Sequence, residues 1–170
     1  IIDLVKIIPK WRKSFRNFLF NIMGTISQDE YMNRLKLAIN TLPNAVERIF
    51  MENKTEILDL NRETQLNEKG IDSKGMKLKE YAYFTIQIKQ LIGQPTNRTT
   101  LFYSGKFYEG FTYKYDRNTY TLQIYSTESK TPMLEEKYGQ DIFGLTQDNT
   151  NYLQIKILKP KLDAWILSKI

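Results

Sequence analysis

Residues 111–126 read FTYKYDRNTYTLQIYS, and this stretch decides the fold class because it predicts a β-hairpin between helical regions. Two strands, 111–115 and 119–126, flank a short polar turn at 116–118. Apolar side chains take every second position of the second predicted strand, which indicates one buried and one available face. Those positions are Tyr120, Leu122 and Ile124.

Helical patterns lie on both sides of this hairpin. Ser27 and Glu30 form a capping box for a helix that runs to Leu42, and Pro43 suits the first turn of a long spine helix that ends near Leu66. The residues at 83–92 leave strand and helix open, because they are β-branched or apolar, and Thr146 is placed to cap a final helix that Pro160 kinks or splits. The sequence therefore predicts an α+β fold: a helical N-terminal part with a spine helix, a small antiparallel β-hairpin or sheet, and a C-terminal helix.

The N-terminal region predicts a basic amphipathic helix over 10–22. One side carries Trp11, Phe15 and Phe18, and the other carries Lys10, Arg12, Lys13 and Arg16. The first twenty residues hold five basic and one acidic side chain, so +4 of the net charge of +6 lies there. Three interpretations stay open: packing on its own domain, docking on a neighbouring subunit, or lying on anionic lipid. Residues 1–24 are therefore expected to be an extension of a single domain at 25–170.

Composition argues against most catalytic chemistry. The chain of 170 residues contains neither cysteine nor histidine, which removes thiolate nucleophiles, the commonest general base and the commonest transition-metal ligands. The acidic residues lack the spacing of a metal site, and Gly105-x-x-x-x-Gly110 lacks the Lys-Ser/Thr pair of a phosphate-binding loop. We expect no enzymatic activity, metal or cofactor, and the absence of an apolar run of about 20 residues predicts no membrane span.

The predicted hairpin is rich in tyrosine, and this supports two hypotheses. Amphipathic rings on strands are typical of subunit interfaces, where they bury area and still reach a hydrogen bond. Rings beside Lys114 and Arg117 are also suited to stacking on single-stranded nucleic acid. We favour the interface, and its candidate residues are Tyr113, Tyr115, Tyr120 and Tyr125.

A series of short motifs over 72–111 resembles the tail-completion and virion-morphogenesis proteins of tailed bacteriophages. The motifs are the turn Asp72-Ser73-Lys74-Gly75, the step Thr85-x-x-x-Lys89, and Leu101-x-x-Ser104-Gly105-x-Phe107. The segments 93–96 and 138–145 are similar to proteins of Bacteroidales phages, including crAss-like phages. The chain departs from the family where many members carry a tryptophan-proline pair, since it has Tyr81-Ala82-Tyr83-Phe84 there.

The resemblance implies a structural role in the virion. Family members form homomeric rings in the head-to-tail connector, or neck, or they complete the end of a tail tube. The implied partners are further copies of the chain, the portal and other neck or tail proteins, with assembly in the host cytoplasm and no membrane. The basic side chains of the N-terminal helix could also make nonspecific contact with packaged DNA or with an acidic partner.

Read alone, Ser104 is placed to cap a short turn of helix that carries Phe107. The resemblance implies a short helix over 83–92, and it implies that residues 134–145 return to the hairpin as a strand and loop.

Overall fold

The structure is a computed structural model that describes residues 2–3 and 27–169, and it confirms the predicted α+β class. The elements in chain order are β1 (Ile2–Asp3), α1 (Gln28–Glu52), α2 (Lys54–Asp59), a π-helix (Leu60–Lys69), α3 (Tyr83–Leu91), α4 (Lys106–Glu109), β2 (Phe111–Asp116), β3 (Thr121–Ser126), α5 (Thr131–Tyr138), a 3₁₀ turn (Gln140–Ile142), α6 (Gln147–Tyr152), a second π-helix (Leu153–Leu158) and α7 (Lys159–Leu167).

The first described helix begins as the capping box predicts, but it does not end at Leu42. The Ser27 hydroxyl accepts a hydrogen bond from the Glu30 backbone N–H at 3.2 Å, which satisfies one of the free donors of the first turn. The predicted break at Pro43 is wrong, because α1 continues through this proline to Glu52. Buried residues lie on both sides of Pro43, so packing outweighs the lost backbone hydrogen bond. They are Ala38, Ala45, Val46, Ile49 and Phe50.

The end of the spine is confirmed at the predicted place. After an interruption at Asn53, α2 and the first π-helix carry the helical path to Lys69. Gly70 follows with φ of 64°, a left-handed conformation that glycine adopts at low cost. The spine is therefore two helical stretches, separated at Asn53.

The hairpin is confirmed with a later second strand. Residues 117–120 form the turn, and Tyr120 has φ of 52°, so β3 begins at Thr121 rather than at 119. Leu122 and Ile124 are buried as their alternation predicts. The sheet has the order β1-β3-β2, so a third strand that the hairpin pattern did not include lies beside β3.

Two local expectations are wrong. Ser104 caps nothing in the structure, because Gly105 occupies the N-cap position of α4 with φ of 87° and no side chain accepts a cap hydrogen bond. Residues 134–145 form no strand, since α5 continues to Tyr138 and the 3₁₀ turn follows. Pro132 in the first turn and the helix-forming run 134–137 favour this helix. The Thr146 cap is confirmed, with its hydroxyl accepting from the Asn149 N–H at 3.3 Å.

The chain divides into two compact units. The first contains Lys54–Lys114 and Leu122–Asn151, and the second contains α1, Tyr115–Thr121 and the chain from Tyr152 onward. In the second unit α1 packs against α7, where Leu162 is buried.

Three buried amide side chains hold the first unit together. The side chain of Gln65 donates to the Gly144 carbonyl at 3.0 Å and accepts from the Thr146 N–H at 2.8 Å. Asn61 accepts from the Gly144 N–H at 3.2 Å, and Asn149 donates to the Gln65 side chain at 2.9 Å. Because each buried polar group has a partner, the cluster joins the first π-helix to residues 142–149 without an unsatisfied group.

Candidate functional site

The helix α3 is oriented with its apolar side outward. Tyr83, Phe84 and Leu91 are 78%, 73% and 86% exposed, while the one buried residue of this helix is Lys89, at 2%. At 100° per residue, Tyr83, Phe84, Ile88 and Leu91 lie within an arc of about 140°, which also contains the polar residue Gln87. We call these four residues the α3 apolar face. Lys89 lies about 160° around the helix from Leu91, on the opposite side.

The α3 apolar face carries no charge, and within the described part of the chain three of its four side chains are exposed, while Ile88 is half-buried. Burying its two rings and Leu91 would contribute about 5–9 kcal/mol in total, at about 1.5–3 kcal/mol each. Single exposed apolar residues are ordinary on protein surfaces, whereas a contiguous group on one helix marks an interaction site. The α3 apolar face is therefore the candidate functional site.

A buried lysine fixes the inner side of α3. The Lys89 ammonium donates to the Gln94 side-chain oxygen at 2.8 Å and to the Phe102 carbonyl at 2.6 Å. It also lies 4.9 Å from the centre of the Tyr81 ring, within the range of a cation–π interaction. No described carboxylate pairs with the Lys89 ammonium, and these three contacts stabilise its charge instead. They also connect α3 to the segment that follows it.

Tyr81 organises the backbone next to this lysine. Its hydroxyl oxygen accepts from the backbone N–H groups of Thr100 at 2.9 Å and Leu101 at 3.0 Å, and it lies 3.2 Å from the Thr100 hydroxyl. Leu101 is buried with φ of 55°, an uncommon conformation for a residue with a side chain. The two N–H bonds to one phenol oxygen hold this strained turn in place.

The seven family-motif residues separate into two groups. Lys89, Leu101 and Phe107 are buried, and the Phe107 ring packs edge-on against Phe111 with 5.1 Å between ring centres. The others lie at or near the surface: Gly75 in the turn with φ of 80°, Thr85 on α3, Ser104, and Gly105 before α4. The Lys89 ammonium donates to the carbonyl of Phe102, the residue after Leu101. This part of the motif therefore serves packing.

The hairpin tyrosines do not share one open surface. Tyr113 has the Lys54 ammonium 5.9 Å from its ring centre, and the Tyr115 ring packs edge-on against Phe50 at 5.3 Å. Tyr120 lies in the turn, and Tyr125 is exposed on the other side of β3 from Leu122 and Ile124.

Of the two basic residues beside these tyrosines, Lys114 and Arg117, the second already has an ion-pair partner. Arg117 forms an ion pair with Glu47 inside the second unit. Because Tyr113 and Tyr115 already have ring contacts, the hairpin offers less stacking area than its tyrosine content suggests.

The Tyr115 hydroxyl is buried without a hydrogen-bond partner in the described part of the chain. Burial raises the pKa of Tyr115 to about 12, with a smaller contribution from the neighbouring Tyr120. An unsatisfied buried hydroxyl costs stability, so this residue is a local weakness of the second unit.

The candidate residues Lys10, Trp11, Arg12, Lys13, Phe15, Arg16 and Phe18 lie outside the described residues, as does the predicted helix 10–22. Within residues 2–3 and 27–169, no group of three or more acidic side chains is placed to hold a metal ion. No helix in that part of the chain has the length and apolar character needed to cross a membrane.

None of the four residues of the α3 apolar face was among the predicted site residues. Their signal was present in the apolar spacing of 83–91, but an amphipathic pattern does not say which side of a helix meets the protein. Comparisons with protein-family models, curated protein sequences and solved structures found no match to this chain.

Proposed function

We propose that this protein is a non-enzymatic structural protein that works by self-association, with the α3 apolar face as a contact between copies. The observation that carries the proposal is this face, where three large apolar side chains are more than 70% exposed. The face has no charged residue, so a second copy can approach without like-charge repulsion although the chain has a net charge of +6.

The area available supports a copy-to-copy contact. Each aromatic ring can bury about 150–250 Å², so Tyr83, Phe84 and Leu91 of one copy can supply a large share of the roughly 800 Å² that each partner buries in a specific interface. If this face packs against a different surface of the next copy, the contact is heterologous, and a heterologous contact repeated around a closed axis forms a ring. Together with the resemblance of residues 72–111, this supports a homomeric ring at the neck or tail end of a tailed-phage virion.

The test is the absolute mass of the purified full chain by light scattering or native mass spectrometry, with and without the portal protein of the same phage. We expect a closed multimer, or a monomer that becomes one on the portal. The double variant Phe84→Ser and Leu91→Ser is expected to be monomeric in both conditions. The matched control is Met133→Ser, which removes an exposed apolar side chain of α5.

Two outcomes would contradict the proposal. A wild-type chain that stays monomeric with and without portal would remove the ring. A monomer that binds single-stranded DNA would instead support the nucleic-acid hypothesis for the hairpin and the basic N-terminal helix, with an affinity that falls steeply as salt rises.

A further inference from the structure

We propose that a polar cleft in the first compact unit binds an extended peptide segment that carries an acidic side chain. The cleft has a volume of about 500 Å³ and is lined by two non-helical stretches, 77–81 and 96–99. The Thr99 hydroxyl donates to the Lys79 carbonyl at 2.7 Å, which fixes the two stretches side by side.

On one wall of the cleft, the backbone groups of Lys77 have no hydrogen-bond partner among the described residues. Ile71 and Lys77 are opposite each other in an antiparallel bridge, and its hydrogen bonds run from Leu78 N–H to Gly70 O at 2.9 Å and from Asp72 N–H to Met76 O at 2.9 Å. Ile71 and Lys77 therefore form a non-hydrogen-bonded pair, in which the N–H and C=O groups of Lys77 point away from Ile71. A peptide added alongside Lys77 would satisfy both groups, as in strand addition.

A guanidinium group is already positioned at the cleft. Arg98 donates through Nε to the Asn67 carbonyl at 2.6 Å and through Nη1 to the Asn97 side-chain oxygen at 2.9 Å. Both acceptors are neutral, and Arg98 has no ion pair with any described residue. Its Nη2 donors stay available, and a guanidinium fixed in this way favours a planar carboxylate.

The other charges of the cleft favour a peptide over a nucleic-acid backbone. Lys69 and Lys77 add positive charge, but Glu68 and Glu80 line the same cleft. None of these four side chains forms an ion pair within the described residues. A run of phosphates would meet both glutamates, whereas a peptide places one carboxylate at Arg98 and neutral or basic residues elsewhere.

Apolar side chains complete the cleft. Leu78, Tyr81 and Ile86 lie among the lining residues and provide surface for alternate side chains of an extended segment. The combination of the unpaired Lys77 backbone groups, a fixed cation and apolar surface is the arrangement by which strand-adding sites obtain affinity from the main chain and selectivity from side chains.

The experiment uses the immobilised full chain and two libraries of acetylated, amidated octapeptides. One library has Asp or Glu at a fixed central position, and the other has Asn or Gln there. Retained peptides are quantified by mass spectrometry. We expect the acidic library to be retained about tenfold more than the amide library, the ratio that one charge-assisted hydrogen-bond pair of about 1.4 kcal/mol gives.

Variants locate the binding. Arg98→Gln is expected to abolish the preference for the acidic library, and Lys77→Gln is expected to reduce it by about threefold. The control Lys130→Gln removes an exposed lysine outside the cleft and should retain the full preference. Because Arg98 also bonds to the Asn67 backbone, Lys77→Gln keeps the test valid if Arg98→Gln does not fold. Equal retention of the two libraries by wild type would overturn the proposal, as would full displacement of the acidic peptides by oligo-dT.

Discussion

Lys89 is buried with its ammonium surrounded by the Gln94 side chain, the Phe102 carbonyl and the Tyr81 ring. These protein groups replace water around the ammonium, so the charge is stabilised without a carboxylate. The truncation of such a group leaves acceptors unsatisfied and opens a cavity. Lys89 is therefore a structural residue that connects α3 to the turn at Leu101.

We expect Lys89→Ala to lower the free energy of unfolding by about 2–4 kcal/mol. The measurement is urea unfolding followed by circular dichroism, with the midpoint compared at a constant slope. Gln90→Ala is the control, because Gln90 is the exposed neighbour on the same helix. A loss for Lys89→Ala that equals that of the control would show that these contacts contribute nothing.

A substitution at Tyr115 is expected to raise the free energy of unfolding rather than lower it. Tyr115→Phe removes a buried hydroxyl without a described partner and keeps the ring contact with Phe50, so we expect a gain of about 1 kcal/mol at pH 7. Thermal unfolding at neutral pH measures this gain. Tyr113→Phe is the control, and a loss of stability in Tyr115→Phe would indicate that the hydroxyl has a partner.

The pKa of Tyr115 adds a pH dependence. Burial raises its pKa to about 12 in the folded state, while the unfolded value is near 10. Stability is thus fully present below pH 10 and falls as the pH rises toward 12, because the unfolded chain releases this proton first. We expect a shallower fall over pH 10–12 in Tyr115→Phe, with a residual slope from Tyr108, whose pKa burial also raises. Identical slopes in the two proteins would contradict this assignment.

At the scale of the element, one side of α3 is fixed to its own fold through Lys89, and the other side carries the α3 apolar face. Leu91, on its apolar face, is 86% exposed, so a shorter side chain there removes few contacts within its own fold. We expect Leu91→Ser to change the free energy of unfolding of the monomer by less than about 0.5 kcal/mol. A loss of several kcal/mol, as is typical for a buried leucine, would show that this face packs within its own chain.

The amide cluster behaves as one element because its members share hydrogen bonds. We expect Gln65→Leu to cost about 3 kcal/mol, since it leaves the Gly144 carbonyl and the Thr146 N–H unsatisfied in the interior. The measurement is urea unfolding, with Gln90→Leu as the exposed control. Additive losses in the pair Gln65→Leu and Asn149→Ala would contradict a shared network.

The elements differ in how well their sequences predict them. The β2–β3 hairpin follows from alternation within sixteen residues, and the Ser27 and Thr146 caps follow from one hydrogen bond each, so local patterns were sufficient. The continuation of α1 through Pro43 depends on burial beyond the proline, which only the tertiary structure supplies. The outward orientation of α3 depends on Lys89 finding Gln94 and the Phe102 carbonyl, and no periodicity contains that information.

At the scale of the whole molecule, the sign of the salt dependence separates the two functional hypotheses. Self-association through an uncharged face is expected to give the same mass at 0.05 M and 0.5 M salt, or a larger one, because apolar contacts are not screened. Light scattering at both concentrations measures this. Dissociation into monomers at high salt would show that charged surfaces, rather than the α3 apolar face, hold the copies together.

The amide cluster also affects when the first unit can fold during synthesis. Gln65 and Asn149 are 84 positions apart. At a synthesis rate of about 5–20 residues per second, the first π-helix emerges some 4–17 s before its last hydrogen-bond partner is made. During that interval the amides of the π-helix must stay hydrated, and the first unit reaches its native interior only after Asn149 has left the ribosome.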